Sequence, residues 1–254
     1  ENALAWFENN GLSAHPGKFH FFILSKIPIS KPTLRVRGIL LEAEKFIKVL
    51  GVTFDDSLNF TEHIRIICQK AARQLNALAR LAKHLSYEAK RAAVNSFVRS
   101  NFQYCSLVWH FCGQTNNNKL EKIQGRALKI LHNDYSSTYA ELISKSNMST
   151  LMLSRLRATA FEVYKTTNQI NITCLSETLR IKETNYTMRN SHKLIQPHVN
   201  TTTYGLRSFS YLAPKLWNDM INENVHVVDM NVNEFQHFIR RWNGPNFETY
   251  SHFL

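Results

Sequence analysis

The chain has 254 residues, of which 44% are hydrophobic and 20% are charged, with only 8 glycines and 6 prolines. This length and composition allow a buried core without metals or disulfides and exclude a long disordered linker. The formal net charge of +12 attracts polyanions, chiefly nucleic acid and secondarily anionic lipid.

The cysteines and the apolar runs indicate in which cellular compartment the protein is expected. The four cysteines, Cys68, Cys105, Cys112 and Cys174, form no CxxC pair, so they predict neither a disulfide framework nor a zinc finger. No apolar run reaches the roughly 18 residues of a membrane span, and no signal peptide is recognisable. We therefore expect an intracellular protein, cytoplasmic or nuclear, that is not secreted and has no membrane partner.

The first 58 residues predict a helix end and a small β element. Residues 1–10 have the pattern of a helix that stops at Asn10-Gly11. Residues 18–24 and 45–53 are rich in aromatic and β-branched side chains. We expect these two segments to pair with each other across a loop that contains Pro28 and Pro32.

From Phe60 onward the hydrophobic period becomes helical. Apolar residues recur at spacings of three and four, which places them on one face of a helix. Basic residues project from the opposite side of the same helix. The apolar face comprises Phe60, Ile64, Ile67, Ala71, Leu75, Leu78, Ala82 and Leu85, and the basic face comprises Arg65, Lys70, Arg73, Arg80 and Lys83.

Further helices are predicted over residues 87–110, 117–132, 138–146 and 150–168, with Ser86, Asn116 and Ser149 as start signals. The periodicity weakens after Asn168, and a last helix is predicted over residues 232–242. The fold class is therefore mainly α, with a small N-terminal β-hairpin, a bundle of helices and an irregular C-terminal extension that ends in a helix.

Several blocks along the chain carry a family resemblance. They are residues 6–18, 46–58, 120–130, 133–137, 186–190 and 204–218. In this order they resemble the C-terminal part of the reverse transcriptase of jockey-like non-LTR retrotransposons. The resemblance implies a palm remnant over residues 1–58, a thumb-like helical bundle over 59–168 and a C-terminal extension over 169–254. The function it implies is that of an RNA-directed DNA polymerase fragment.

Asp55 and Asp56 are the candidate metal ligands. The family holds two Mg²⁺ ions in its palm with a motif of an aromatic residue, any residue and two aspartates. Thr53 stands at the aromatic position, and in the family this motif precedes the segment that residues 6–18 resemble. We therefore interpret Asp55 and Asp56 as a turn ahead of a helix. The expected chain is a fragment without catalytic aspartates, bound Mg²⁺ or enzymatic activity of its own, and its start at Glu1 fits that expectation.

Lys18 and the basic face are the candidate contacts to nucleic acid. The resemblance implies that Lys18 is the palm lysine near the phosphates of the incoming nucleotide; otherwise it is a solvated charge at a strand edge. In the family, the helix that carries this basic face is the first helix of the thumb, and it binds the template and product duplex of RNA or DNA. Between residues 61 and 100 there are eight Lys or Arg but only Glu62 and Glu88 as acids. The alternatives are a solvated helix face, a membrane-surface helix or a calmodulin-type segment.

Two further groups have competing interpretations. Cys105, His110 and Cys112 crowd around Trp109, but their spacing predicts a buried helix rather than a metal site. Arg207 and Lys215 either bind RNA or belong to a packing module with Trp217. The alternative function for the whole chain is a co-opted helical protein-interaction module without a nucleic-acid role.

Overall fold

The computed structural model describes residues 2–13, 15–25, 32–36, 38–170, 175–182, 192–223 and 225–245. The chain divides into two compact units, Glu1–His63 and Ile64–Leu254. The fold is mainly α with a small strand region near the N-terminus, as the sequence predicted. Among the described helices, none combines the length and the apolar character that crossing a membrane requires.

The first unit begins with the helix α1, Asn2–Asn9. The helix ends before Gly11, whose backbone is left-handed with φ +68°. Glycine adopts this conformation without the steric cost that a Cβ would add, so the predicted stop is confirmed. The strands that follow among the described residues of this unit are β1 Phe21–Phe22, β2 Thr33–Val36, β3 Ile39–Glu44, β4 Phe46–Val49 and β5 Val52–Asp55.

The pairing of these strands differs from the predicted one. Phe21 of β1 lies in parallel register with Ala43 of β3, and β2 pairs antiparallel with β3 on its other side. The segment 45–53 instead folds back on itself, because β4 and β5 form an antiparallel hairpin. Leu50 and Gly51 both have positive φ, 46° and 87°, as tight two-residue hairpin turns require. The local hairpin closes a much shorter loop than the predicted pairing, at a lower entropic cost.

The second unit is helical, and the boundary between the units falls in the first turn of its first helix. Its α-helices are α2 Thr61–Leu81, α3 Tyr87–Ala93, α4 Ser100–Gln103, α5 Ser106–Trp109, α6 Gln114–His132, α7 Tyr139–Ser146, α8 Leu151–Thr167, α9 Phe209–Glu223 and α10 Val232–Arg241. The block 186–190 and Cys174 lie outside the described residues.

Side-chain caps set the starts of several helices. Ser86 accepts a hydrogen bond from the Ala89 amide, which confirms the predicted start of α3. The other two predicted start signals are wrong by a few residues. Thr150, not Ser149, caps α8, and α6 begins at Gln114 after Gly113. Asn116 is instead buried inside α6, where its amide donates to the Cys112 carbonyl.

The predicted continuous helix over residues 87–110 is interrupted. A π-helical turn, Val94–Arg99, joins α3 to α4, and the chain then leaves the helix at Tyr104. Cys105 has a left-handed backbone with φ 46°. The break lets the buried Trp109 donate its indole N–H to the Tyr104 carbonyl at 3.0 Å. No glycine or proline marks this break, so the periodicity did not predict it.

The core of the second unit joins α8 to the C-terminal helices. Tyr164 of α8 stacks on Phe235 of α10 with ring centroids 4.1 Å apart, and Trp217 of α9 is buried beside them. The expected last helix is confirmed as α10, whereas α9, which contains Pro214, was not predicted. Residues on both sides of position 168 build this core. The division of the chain at residue 168 stays a prediction.

Candidate nucleic-acid interface

The helix α2 has the two faces that its sequence predicts. Ile64, Ala71 and Leu75 are fully buried, and Ile67 and Leu78 are at most 9% exposed. Phe60 ahead of the helix is buried as well, while Ala82 and Leu85 after it are half-buried. The apolar face is therefore confirmed, and burial of these side chains fixes which side of α2 remains in solvent.

The exposed side of α2 carries the predicted cations. At about 100° per residue they spread over an arc of about 140°, and Arg65 and Arg80 lie about 22 Å apart along the helix axis. Among the described residues, Lys70, Arg73 and Arg80 form no ion pair. The members of the predicted basic face, Arg65, Lys70, Arg73, Arg80 and Lys83, are all exposed, the last of them on the short 3-10 helix Ala82–His84. Contact with nucleic acid stays a prediction for each of them.

Lys18 belongs to the first unit and is also exposed. It does not begin a strand, as the sequence predicted, but ends the 3-10 helix Pro16–Lys18, and its amide donates to the His15 carbonyl at 2.9 Å. The strand β1 starts three residues later. The Pro-Gly pair favours a tight turn, which here continues through the lysine. A role of Lys18 near a nucleotide phosphate stays a prediction.

Asp55 is held in a turn between β5 and α2. Its Oδ1 accepts hydrogen bonds from the Ser57 amide at 3.2 Å, the Ser57 hydroxyl at 2.9 Å and the Asn59 amide at 2.8 Å. This is the pattern of an Asx turn, which agrees with the interpretation of Asp55 as a turn residue. Asp56 beside it is exposed. Within the described part of the chain, no third His, Cys, Asp or Glu joins the two aspartates in a group that could hold a metal ion.

The region around Trp109 forms a buried polar cluster on α5, α6 and α8. The Arg155 Nε donates to the His110 Nδ1 at 3.3 Å, its Nη2 donates to the Asn117 Oδ1, and the guanidinium lies 5.3 Å from the centre of the Trp109 ring. Burial and the Arg155 charge lower the pKa of His110 to about 3. Burial likewise raises the pKa of the Cys112 thiol. The imidazole therefore stays neutral, and the cluster ties three helices together.

A second basic row lies on α6 and was not among the residues that the sequence predicted as contacts. Its residues are spaced by three, four and three positions, so they lie on one helix face. This spacing is visible in the sequence, where most of the row lies within the block 120–130 that carries the family resemblance. The row consists of Lys119, Lys122, Arg126 and Lys129; the first three are exposed and the last is half-buried.

The α6 row adjoins α2. The Arg126 guanidinium donates to the Asn76 Oδ1 of α2 at 2.5 Å. Cys68 of α2 also lies close enough to Lys119 of α6 for that charge to act on its thiol. Burial raises the pKa of Cys68 to about 11, and the charge of Lys119 opposes that rise. The basic row and the basic face of α2 therefore lie on neighbouring helices of the same unit.

A groove of about 600 Å³ runs beside α6 and is bounded by Lys122, Arg126, Lys129 and the start of α7. Glu121 is the acid on its wall, and the Tyr139 hydroxyl and the Leu151 and Met152 amides all donate to its carboxylate. The Tyr139 ring packs close to Gly125, where a Cβ would lie 3.3 Å from it. Cationic side chains therefore face this groove, while the one acid on its wall is already engaged.

A comparison with known proteins finds a distant similarity. Half of the chain is distantly similar to part of a transposon RNA-directed DNA polymerase. The relative is a probable RNA-directed DNA polymerase from transposon BS of Drosophila melanogaster, 26% identical over 133 residues. The match spans 50% of this chain and 15% of the relative's length. No family model and no solved structure matches the chain.

Proposed function

We propose that this chain is a nucleic-acid-binding part of the reverse transcriptase of a jockey-like non-LTR retrotransposon. In this proposal α2 acts as the first helix of the thumb and holds an RNA or DNA duplex by its phosphates, without sequence preference. The distant relation to a transposon RNA-directed DNA polymerase supports the parent function, and the helical second unit supports the comparison with a thumb.

The observation that carries the proposal is the exposed basic face of α2. Arg73 and Arg80 lie on the solvent side of a helix whose other side is buried, so their charges are presented outward. Cations arranged in this way neutralise phosphates and release condensed counterions, which gives binding that weakens steeply with salt.

A binding titration tests the proposal. We expect Arg73→Gln together with Arg80→Gln to weaken binding to a 20-base-pair RNA–DNA hybrid about tenfold or more at 0.1 M salt, uniformly across sequences. The control variant Lys182→Gln with Arg240→Gln removes the same charge from two exposed positions outside α2 and α6. The proposal is wrong if both variants bind as tightly as the unchanged chain.

We further propose that this chain makes no DNA by itself. The support is the engagement of Asp55 in its own turn, where one carboxylate oxygen already accepts three hydrogen bonds. A primer-extension assay with Mg²⁺, an RNA template and a DNA primer tests this. Extension of the primer by this chain alone would contradict the proposal.

A second candidate function is a co-opted protein-interaction module. It is favoured by an apolar groove of about 350 Å³ beside α2, at whose edge Leu81 and Phe97 are 57% and 59% exposed. Exposed apolar side chains of this kind are typical of surfaces that bind other proteins. The same titration discriminates the two functions, because this second function predicts no salt-dependent affinity for the hybrid.

A further inference from the structure

We propose that the groove between α6 and α7 is a second nucleic-acid contact, in which Lys122, Arg126 and Lys129 bind phosphodiester groups of a bound strand. This inference rests on the proposed nucleic-acid function but assigns a different surface to it. The strand that lies on the basic face of α2 would continue across Arg126 into the groove.

The charges of the groove favour an anionic ligand. Lys122 and Arg126 are four positions apart and Arg126 and Lys129 are three apart, so neighbouring Cβ atoms lie about 5–6 Å from each other on one face. Three cations held this close repel each other unless anions lie between them. The Arg126 guanidinium donates a hydrogen bond to Asn76, which is neutral. This hydrogen bond therefore does not cancel the charge of Arg126.

The nearby acidic side chains do not neutralise the positive charges of Lys122, Arg126 and Lys129. Glu121 projects from α6 to the start of α8, where its carboxylate accepts hydrogen bonds from the Leu151 and Met152 amides, and the positive end of the α8 dipole partly offsets its charge. Asp134 contacts Ser137 at the end of the groove but is paired with Lys145 at 3.3 Å. The exposed Glu141 of α7 likewise accepts the amide of Thr138, a residue that lines the groove, at 2.7 Å. Each of these three carboxylates therefore has a partner other than the cations of the groove.

The position of the groove favours a polymeric phosphate over a small free anion. Lys122 and Arg126 are exposed, and Arg126 also contacts α2. A nucleic-acid strand can therefore touch both helices at once, and each additional phosphate contact adds to its affinity. A single phosphate ion would reach only one part of this surface.

Neutral substitutions that preserve helix propensity test the inference. We expect Lys122→Gln with Lys129→Gln to reduce the slope of log K against log salt by about 1.8 for the RNA–DNA hybrid, or about 0.9 for each lost phosphate contact. Arg126 is left in place because of its bond to Asn76. Affinity should fall about tenfold or more at 0.1 M salt, while Lys182→Gln with Arg240→Gln leaves the slope nearly unchanged.

Three outcomes would overturn or separate the proposals. If the groove variant behaves like the control while Arg73→Gln with Arg80→Gln weakens binding, the groove is not a contact but the proposed function stands. If neither variant matters, the proposed function fails as well. If inorganic phosphate at matched ionic strength displaces the hybrid from the unchanged chain but not from the groove variant, the ligand is a free phosphate, and the assignment to a strand is wrong.

Discussion

Arg155 is a buried cation without a carboxylate partner among the described residues. Its neighbours are a neutral imidazole, an amide oxygen and an indole ring, from His110, Asn117 and Trp109. Burial lowers the pKa of Arg155, since the charged form loses solvation. A neutral His110 is required beside it, because a second charge in this cluster would repel the guanidinium.

The cluster predicts a pH dependence of stability. Between pH 6.5 and its folded-state pKa of about 3, His110 binds a proton in the unfolded chain but not in the folded one. Its contribution is therefore complete above pH 6.5 and is lost as the pH falls toward 3. We expect this residue to remove about 2 kcal/mol from the free energy of unfolding between pH 7.5 and pH 5.

Urea unfolding at both pH values measures this contribution. His110→Gln keeps a hydrogen-bond acceptor but does not titrate, so its stability should fall about 2 kcal/mol less than that of the unchanged chain. The matched control is His237→Gln, at an exposed position of α10. Identical pH dependence of His110→Gln and the unchanged chain would contradict the assignment.

At the scale of elements, both helices that border the groove end on an asparagine. Asn133 after α6 and Asn147 after α7 have φ 51°, and in each case the next amide donates back to a carbonyl of the last turn. This left-handed cap satisfies carbonyls that the helix leaves free. α7 is fixed at its other end by the capping box of Thr138 and Glu141. These local devices hold the start of α7, with Tyr139, beside α6.

The C-terminal cap of α7 predicts that glycine is more stable than alanine at the cap position and less stable than alanine within the helix. At Asn147 the left-handed backbone favours glycine, so Asn147→Ala should be less stable than Asn147→Gly by about 1 kcal/mol. At the exposed Ser144, within the helix, Ser144→Gly should be less stable than Ser144→Ala by about 1 kcal/mol. Urea titrations of the four variants measure both differences, and the same order at both positions would refute the proposed cap.

At the scale of the whole molecule, the C-terminal helices are part of the core of the second unit. Phe235 of α10 is fully buried, and its ring contacts Tyr164 of α8 and Trp217 of α9. The Tyr164 hydroxyl also donates to the Met230 carbonyl at 2.7 Å. Contacts between residues this far apart in sequence make α8, α9 and α10 one packed body.

Truncating Phe235 tests this dependence. Phe235→Ala should lower the free energy of unfolding by about 3–5 kcal/mol, because it leaves a cavity between three helices. The control is Phe97→Ala, whose ring is 59% exposed and should cost much less. Thermal and urea unfolding measure both. Equal effects of the two substitutions would show that the C-terminal helices contribute little to the core.

The sequence by itself determined the features that repeat along one element. The apolar period of α2 determined its buried side and left its cations in solvent, and the Ser86 and Asn10-Gly11 signals marked ends that are local in the chain. Only the tertiary structure decided which strand pairs with β1, where the chain breaks at Cys105 and which arginines are buried. Arg99 and Arg155 count toward the net charge of the chain but are at most 9% exposed. Periodicity reports the neighbours of a residue along its own helix, whereas pairing, burial and the α6–α7 groove depend on residues that only folding brings together.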